Sequence, residues 1–232
     1  MKGDADIAAA AALIGTPARA ALLLALAESE SLSARELATR AGIAPSTASS
    51  HLARLVSGGL VVSERRSRHR YFRLAGPPIA EALEALAGIA PTKPVRSLRD
   101  ATVADAIRYA RTCYDHLAGR LGVELAAALE REQVLVERNG AYALGPCAET
   151  RLASLGIELA ALERQRRVVA RPCLDWSERR PHVAGALGAA LANRLFELGW
   201  LKRRPANRSV ELTPTGREQL RIELGIELLA NR

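Results

Sequence analysis

Ser33-Ala34-Arg35-Glu36-Leu37-Ala38-Thr39-Arg40-Ala41-Gly42-Ile43-Ala44-Pro45-Ser46-Thr47-Ala48-Ser49-Ser50-His51-Leu52-Ala53-Arg54-Leu55 spells two short helices about a tight Ala-Gly turn. Ser33 stands where a side chain caps a helix running over 31–39, and Glu36 occupies the capping-box position. Gly42 ends that helix, and Pro45 opens the next, where its missing N–H costs nothing. Ala48, Leu52 and Leu55 fall on one face and predict its buried side. The leading edge carries Pro45, Ser46, Thr47, Ser49 and Ser50. Gly58-Gly59 stops the helix, and two strand-like runs follow, Leu60-Val61-Val62 and Tyr71-Phe72-Arg73-Leu74. The polar tip between them holds Arg65, Arg66, Arg68, His69 and Arg70. Such an order reads as a helix to lie in a DNA groove and a wing to grip the phosphates beside it.

Outward from this stretch, residues 5–28 are apolar at helical spacing, broken by Gly15-Thr16-Pro17 into two helices. On the other side, Gly76-Pro77-Pro78 ends the second strand, and Ile79, Leu83 and Leu86 lie on one side of a further helix. A chain of 232 residues is long for one domain. We read a winged-helix domain over 1–90, a linker over 91–100 around Pro91-Thr92-Lys93-Pro94, and a second domain over 101–232.

The 49% of apolar residues is dominated by Ala and Leu, with only 3% aromatic, so the fold class is mainly α with small β-hairpins. A net charge of +8 suits a polyanionic partner. Three widely spaced cysteines, Cys113, Cys147 and Cys173, do not make a disulfide framework, which points to a reducing, cytoplasmic setting. Acids at Asp4 and Asp6, with no basic stretch leading into a long apolar core, argue against a signal peptide. No uncharged apolar run reaches the roughly 18 residues of a membrane span, and no membrane partner is expected.

The second half repeats itself. His116-Leu117-Ala118-Gly119-Arg120-Leu121-Gly122 resembles His182-Val183-Ala184-Gly185-Ala186-Leu187-Gly188. Each continues as an apolar helix, reaches a hairpin (134–144 and 200–212), and closes with a helix ending Leu-Gly-Ile-Glu-Leu at 155–159 and 224–228. Two tandem helix–hairpin–helix, winged-helix-like units are the reading. Just before each copy stands a Cys-x-Asp: Cys113 with Asp115, Cys173 with Asp175. Cys113, Asp115, His116, Cys173, Asp175 and His182 are therefore the candidate ligand or metal residues. Thiolate, imidazole and carboxylate suit zinc or a softer ion. On a helix, Cys113 and His116 would share a face. A thiol switch, a pocket for an organic effector and plain structural packing stand beside the metal reading, and the identity of any cofactor is open.

For nucleic acid, short hydroxyl side chains at the start of a recognition helix can approach base edges closely, while His51, Arg54 and the wing residues Arg65, Arg66, Arg68 and Arg70 suit phosphates. Residues 8–90 resemble the winged-helix domain of the ArsR (ArsR/SmtB) transcriptional repressors. The likeness lies in Gly15-Thr16-Pro17-Ala18-Arg19, in Ala44–Leu52 as the recognition helix, and in Gly59-Leu60-Val61 with Arg65–Leu74 as the wing. It implies a sequence-specific homodimeric regulator bound to a promoter inverted repeat in double-stranded DNA and released by a signal. It also implies dimer helices near 5–15 and 77–88. The family's own metal positions are bare: no cysteine lies in 31–39 and no histidine in the helix from Pro78 to Leu86. A sensing role therefore falls to the second domain. The rivals are a cysteine-dependent enzyme or redox protein and an architectural DNA binder. No catalytic motif is found: no Cys-x-x-Cys, no phosphate-binding glycine loop, no metalloprotease helix.

Overall fold

The computed structural model describes residues 4–27, 29, 31–91, 94–95, 97–204 and 207–228. Two compact units divide the chain, Met1–Leu83 and Glu84–Arg232. Met1–Gly3, Thr92 and Lys93 of the expected linker, and the last residues of the expected second domain, 229–232, lie outside the described residues.

The first unit opens with α1 (Ile7–Ile14) and α2 (Pro17–Ala27), bent by 86° at Gly15-Thr16. Arg19 fixes that corner. It is only 7% exposed, and its Nε and Nη2 donate to the carbonyls of Leu13 and Ala12, each at 2.5 Å. These are the orphan acceptors at the end of α1. The segment expected as helix over 31–39 begins instead as strand β1 (Leu32–Ser33), paired with Phe72 and Tyr71, and α3 runs from Ala34 to Ala41. The reason is the capping box itself, which holds Ser33 extended. Ser33 Oγ accepts from the Glu36 N–H, and the Ser33 N–H donates to Glu36 Oε2 at 2.8 Å. Gly42, at φ 65°, turns the chain out of α3, and α4 follows from Pro45 to Ser57.

The wing is longer and better paired than expected. β2 (Val61–Arg66) and β3 (His69–Leu74) match residue for residue, so Arg65 faces Arg70 and Arg66 faces His69. Only Ser67 and Arg68 form the tip. The core beneath is Leu22, Leu23, Leu26, Leu37, Ala48, Leu52, Leu55 and Leu74, each at most 1% exposed. α5 (Pro77–Ile89) closes the sequence of elements in which the unit boundary falls.

In the second unit, α6 (Leu98–Tyr109) starts inside the segment expected as linker, because Ser97 caps it. The duplication then unfolds in order. The first copy is β4 (Arg111–Cys113), β5 (His116–Ala118), α7 (Gly119–Arg131), β6 (Leu135–Arg138), β7 (Ala141–Leu144) and α8 (Ala148–Ser154). After α9 (Leu159–Glu163) comes the second: β8 (Arg171–Leu174), β9 (Pro181–Ala184), α10 (Gly185–Glu197), β10 (Leu201–Arg203), β11 (Val210–Leu212) and α11 (Pro214–Leu224). Each copy thus carries a leading hairpin in front of the expected helix–hairpin–helix. The Leu-Gly-Ile-Glu-Leu pentapeptides begin at the helix ends and carry the chain out of them. Gly156 and Gly225 sit at φ 76° and 59°, and the Ile157 and Ile226 N–H groups return to the carbonyls of Leu152 and Leu220.

Both copies share one core, with Leu121, Leu129 and Leu152 from the first beside Leu187, Leu191 and Leu220 from the second. The repeated glycines of α7 and α10 lie where the copies cross. A Cβ on Gly122 would stand 2.5 Å from the Leu117 carbonyl and 3.5 Å from Cβ of His182. One on Gly188 would stand 2.3 Å from the Val183 carbonyl and 3.1 Å from Cβ of His116.

The Ser33–Glu36 box yields a first prediction. Ser33→Ala lowers stability by about 1 kcal/mol in denaturant titration. The Ser33 hydrogen bonds hold the Glu36 carboxyl below its ordinary pKa. Its contribution is therefore complete above the unfolded value of about 4.3 and is lost as pH falls through the depressed folded value. Unfolding midpoints of wild type and Glu36→Gln separate at neutral pH and converge in acid; a constant gap would contradict this.

Candidate DNA interface and a buried Cys–His cluster

Two sites with opposite characters emerge. The first lies on the outside of the winged helix. α4 is anchored by Ala48, Leu52 and Leu55, and this leaves Pro45, Ser46, Thr47, Ser49, Ser50 and Arg54 exposed. The Ser49 hydroxyl is already committed to the Pro45 carbonyl at 2.9 Å, so it presents a methylene and an acceptor rather than a free donor. His51 is half-buried, and its Nδ1 finds no hydrogen-bond partner among the described residues.

On the wing, Glu64 is an acid among many cations, and it is neutralised within the hairpin. Arg73 Nε binds it at 3.1 Å and Arg66 Nη2 at 3.3 Å, and the two arginines hold its carboxyl below the ordinary pKa. Arg70 lies over the Phe72 ring and donates to Ser63 Oγ at 2.7 Å, while Arg66 lies over Tyr71. The aromatic residues on β3 thus prop two guanidinium groups upright. The side chains of Arg65 and Arg68 make no ion pair or hydrogen bond among the described residues, and both are exposed.

The second site is inside. Cys113 and His116 do not share a helical face. They stand opposite each other across β4 and β5, joined by the two-residue turn Tyr114-Asp115, in which Tyr114 takes φ 62°. Cys173 and His182 are likewise partners across β8 and β9, over a longer loop. The two hairpins bring one sulfur and one imidazole each to a single point: the four ligand atoms lie within 4.8 Å of one another. The two Nε2 atoms are 3.1 Å apart. Exposure is 2% for Cys113, 3% for His116, 8% for Cys173 and zero for His182.

Asp115 and Asp175 are not among the four; each stands behind a histidine. Asp115 accepts from His116 Nδ1 at 3.1 Å and from Arg167 at 2.6 Å. Asp175 Oδ2 lies 3.6 Å from His182 Nδ1. Asp175 also accepts from Arg111 Nη2 at 2.9 Å, from the Gly119 N–H at 2.6 Å, and from Ser177 and the Glu178 N–H. Burial alone would raise its pKa. Arg111, Ser177 and these backbone donors outweigh burial and bring it down to about 2. For His116, burial opposes the charged form, but Asp115 and Cys173 hold its pKa above the ordinary value. The Cys113 thiol hydrogen-bonds to Cys173 and, being buried, is pushed well up. Cys173, beside the Cys113 thiol and with His116 and His182 nearby, is held below the ordinary thiol value.

Reasoning from sequence missed Arg111. It is wholly buried, stacked on Trp176 at 4.8 Å, bonded to Asp175, and 3.5 Å from Glu84. No local pattern marks it, since its partners are distant in sequence. Trp176 and Ser177 enclose this arginine. Arg180 pairs with Glu124 at 3.1 Å, and the exposed Cys147 lies apart from the cluster.

Residues 16–70 match the MarR family. Over 223 residues the chain is 38% identical to an uncharacterized HTH-type transcriptional regulator, YdfF, of Bacillus subtilis (strain 168), spanning 96% of this chain and 99% of that one. The chain belongs to the HTH-type transcriptional regulators. It is a DNA-binding regulator and not an enzyme, and the kinship extends through both units. Among solved structures, it is similar to the homodimeric winged helix-turn-helix DNA-binding domain of Mb0332 from Mycobacterium bovis, a possible ArsR-family regulator. That likeness is 29% identical, covers 37% of this chain and 86% of that one, and has a TM-score of 0.33. The transcriptional repressor BigR of Xylella fastidiosa is 27% identical, over 38% of this chain and 89% of its own, at TM-score 0.35. No described helix is long and apolar enough by itself to cross a membrane.

Asp175→Asn leaves buried Arg111 facing a neutral amide. Removing one partner of a buried pair costs about 3 kcal/mol or more, which a guanidinium titration at neutral pH reads as a lowered midpoint. An unchanged midpoint would show that Glu84 alone satisfies the guanidinium.

Proposed function

We propose that this regulator reads a promoter inverted repeat in double-stranded DNA as a homodimer of the ArsR-like kind, in the cytoplasm, and represses until a signal reaches its second unit. The carrying observation is the exposed hydroxyl-rich start of α4, set on the same unit as a wing whose one strand-borne acid is already neutralised. Ser46, Thr47 and Ser50 are the base-reading candidates. His51, Arg54, Arg65, Arg66, Arg68 and Arg70 are assigned to phosphates and groove edges.

For the dimer, the support is α1. It is apolar throughout, yet none of its residues is buried, and Ile7 is 77% exposed. Leu86 and Ile89 of α5 are exposed as well. Apolar helices left open on a chain of this size mark association surfaces. The signal reading follows from chemistry. Buried thiols and imidazoles in the second unit contribute nothing to a DNA surface, and they respond to ions, oxidants or small ligands.

Fluorescence anisotropy against the DNA upstream of its own gene tests the reading. The expected result is saturation at two chains per site, with log K falling linearly in log salt. Arg68→Ala and Arg70→Ala each weaken binding across sequences and reduce the salt slope by about 1. Absent or salt-insensitive binding, with both substitutions silent, would overturn it.

A further inference from the structure

The four-residue cluster brings two imidazoles and two sulfurs to one buried point. His116 Nδ1 is engaged by Asp115, and His182 Nδ1 faces Asp175. With each ring proton on Nδ1, the two Nε2 atoms turn lone pairs toward each other across 3.1 Å. Two lone pairs at that distance repel unless a proton or a metal ion lies between them. The sulfurs of Cys113 and Cys173 complete the ring around the same point.

The charges point the same way. Asp115 has Arg167 as its counterion and Asp175 has Arg111, so both carboxylates are already neutralised. Two sulfurs remain, in surroundings closed by Ala118 and Ala184. A dication bound there would take both sulfurs as thiolates and so be neutralised by its own ligands. Two sulfurs and two imidazole nitrogens form the donor set of zinc and its heavier congeners. Bonds of about 2.0–2.1 Å to nitrogen and about 2.3 Å to sulfur give tetrahedron edges of about 3.3–3.8 Å. These fit inside the 4.8 Å span of the four atoms.

We propose that Cys113, His116, Cys173 and His182 hold one divalent cation of the zinc group in a closed tetrahedral site. Each copy of the repeat supplies one thiolate and one imidazole, so the ion ties the two hairpins together. All four positions are protein ligands, so the site has no open coordination position for substrate. Asp115 and Asp175 orient the imidazoles from behind, as carboxylates do at histidine-ligated metals. Ion binding stands independently of the DNA reading above, because it is measured without DNA.

The test uses the full chain, purified without chelator and reduced. Native mass spectrometry with added zinc shows one ion per chain. Titration with cobalt(II) gives the intense visible bands of a tetrahedral site together with thiolate charge-transfer absorption, saturating at one equivalent. Cys147→Ser leaves both signals intact. Cys113→Ser and Cys173→Ser abolish the charge-transfer band or weaken binding severely, and Asp115→Asn weakens it about 10- to 100-fold. If the cysteine variants fail to fold, alkylation of wild type decides. Zinc protects two of the three thiols and leaves Cys147 reactive, and chelator exposes the other two. An octahedral, oxygen-type cobalt spectrum, no saturable ion, or thiols equally reactive with and without zinc would overturn the proposal.

Discussion

The second unit is organised by a carboxylate and a guanidinium shut away from water. Asp175 and Arg111 are both wholly buried, 2.9 Å apart. Desolvating such a pair is expensive, and the attraction repays it only when the remaining donors and acceptors are also satisfied. Asp175 meets that condition with Gly119, Ser177 and Glu178 around it. Arg111 meets it in part, with the Trp176 face, Ser177 and the Ile107 carbonyl, while its Nε finds no hydrogen-bond partner among the described residues. The pair runs from the first hairpin of one repeat to the loop of the other. It therefore fixes how the hairpins meet, and with them the place where two cysteines and two histidines converge.

The glycines show the same constraint from the backbone side. Gly119 and Gly185 begin the two repeat helices at φ 75° and 89°, where a side chain would meet carbonyls of the preceding segment at under 3 Å. Gly122 and Gly188 let each helix lie against the other copy's histidine strand. The repeated His-x-x-Gly-x-x-Gly pattern thus records close approach at a pseudo-twofold crossing, which is why it survives as the most similar part of two otherwise divergent copies.

What was legible in the sequence followed how local the physics is. Ser33, Glu36, Gly42 and Pro45 act within a few residues of themselves, so the order of the helix–turn–helix could be read, although α3 starts three residues later than expected. The wing was legible in order but not in extent, because Arg65 and Arg66 have no intrinsic strand signal. They are extended by pairing with Arg70 and His69. The leading hairpins of the repeats escaped notice: strands of only three or four residues show no usable alternation. Cys113 and His116 therefore looked like one helical face when they are cross-strand partners. Of the six candidate residues, the structure brings Cys113, His116, Cys173 and His182 together. Four meet at one point and two support them, a division that depends on contacts between distant parts of the chain.

The chain thus keeps two chemistries apart. Hydroxyls and arginines stand exposed on a winged helix, and thiols and imidazoles lie buried in a duplicated unit. X-ray absorption at the zinc edge, on protein given one equivalent of zinc, tests the central geometric claim most directly. The account predicts a four-coordinate shell of two sulfurs at about 2.3 Å and two nitrogens at about 2.0–2.1 Å. A six-coordinate shell of oxygen and nitrogen, with no sulfur, would contradict it.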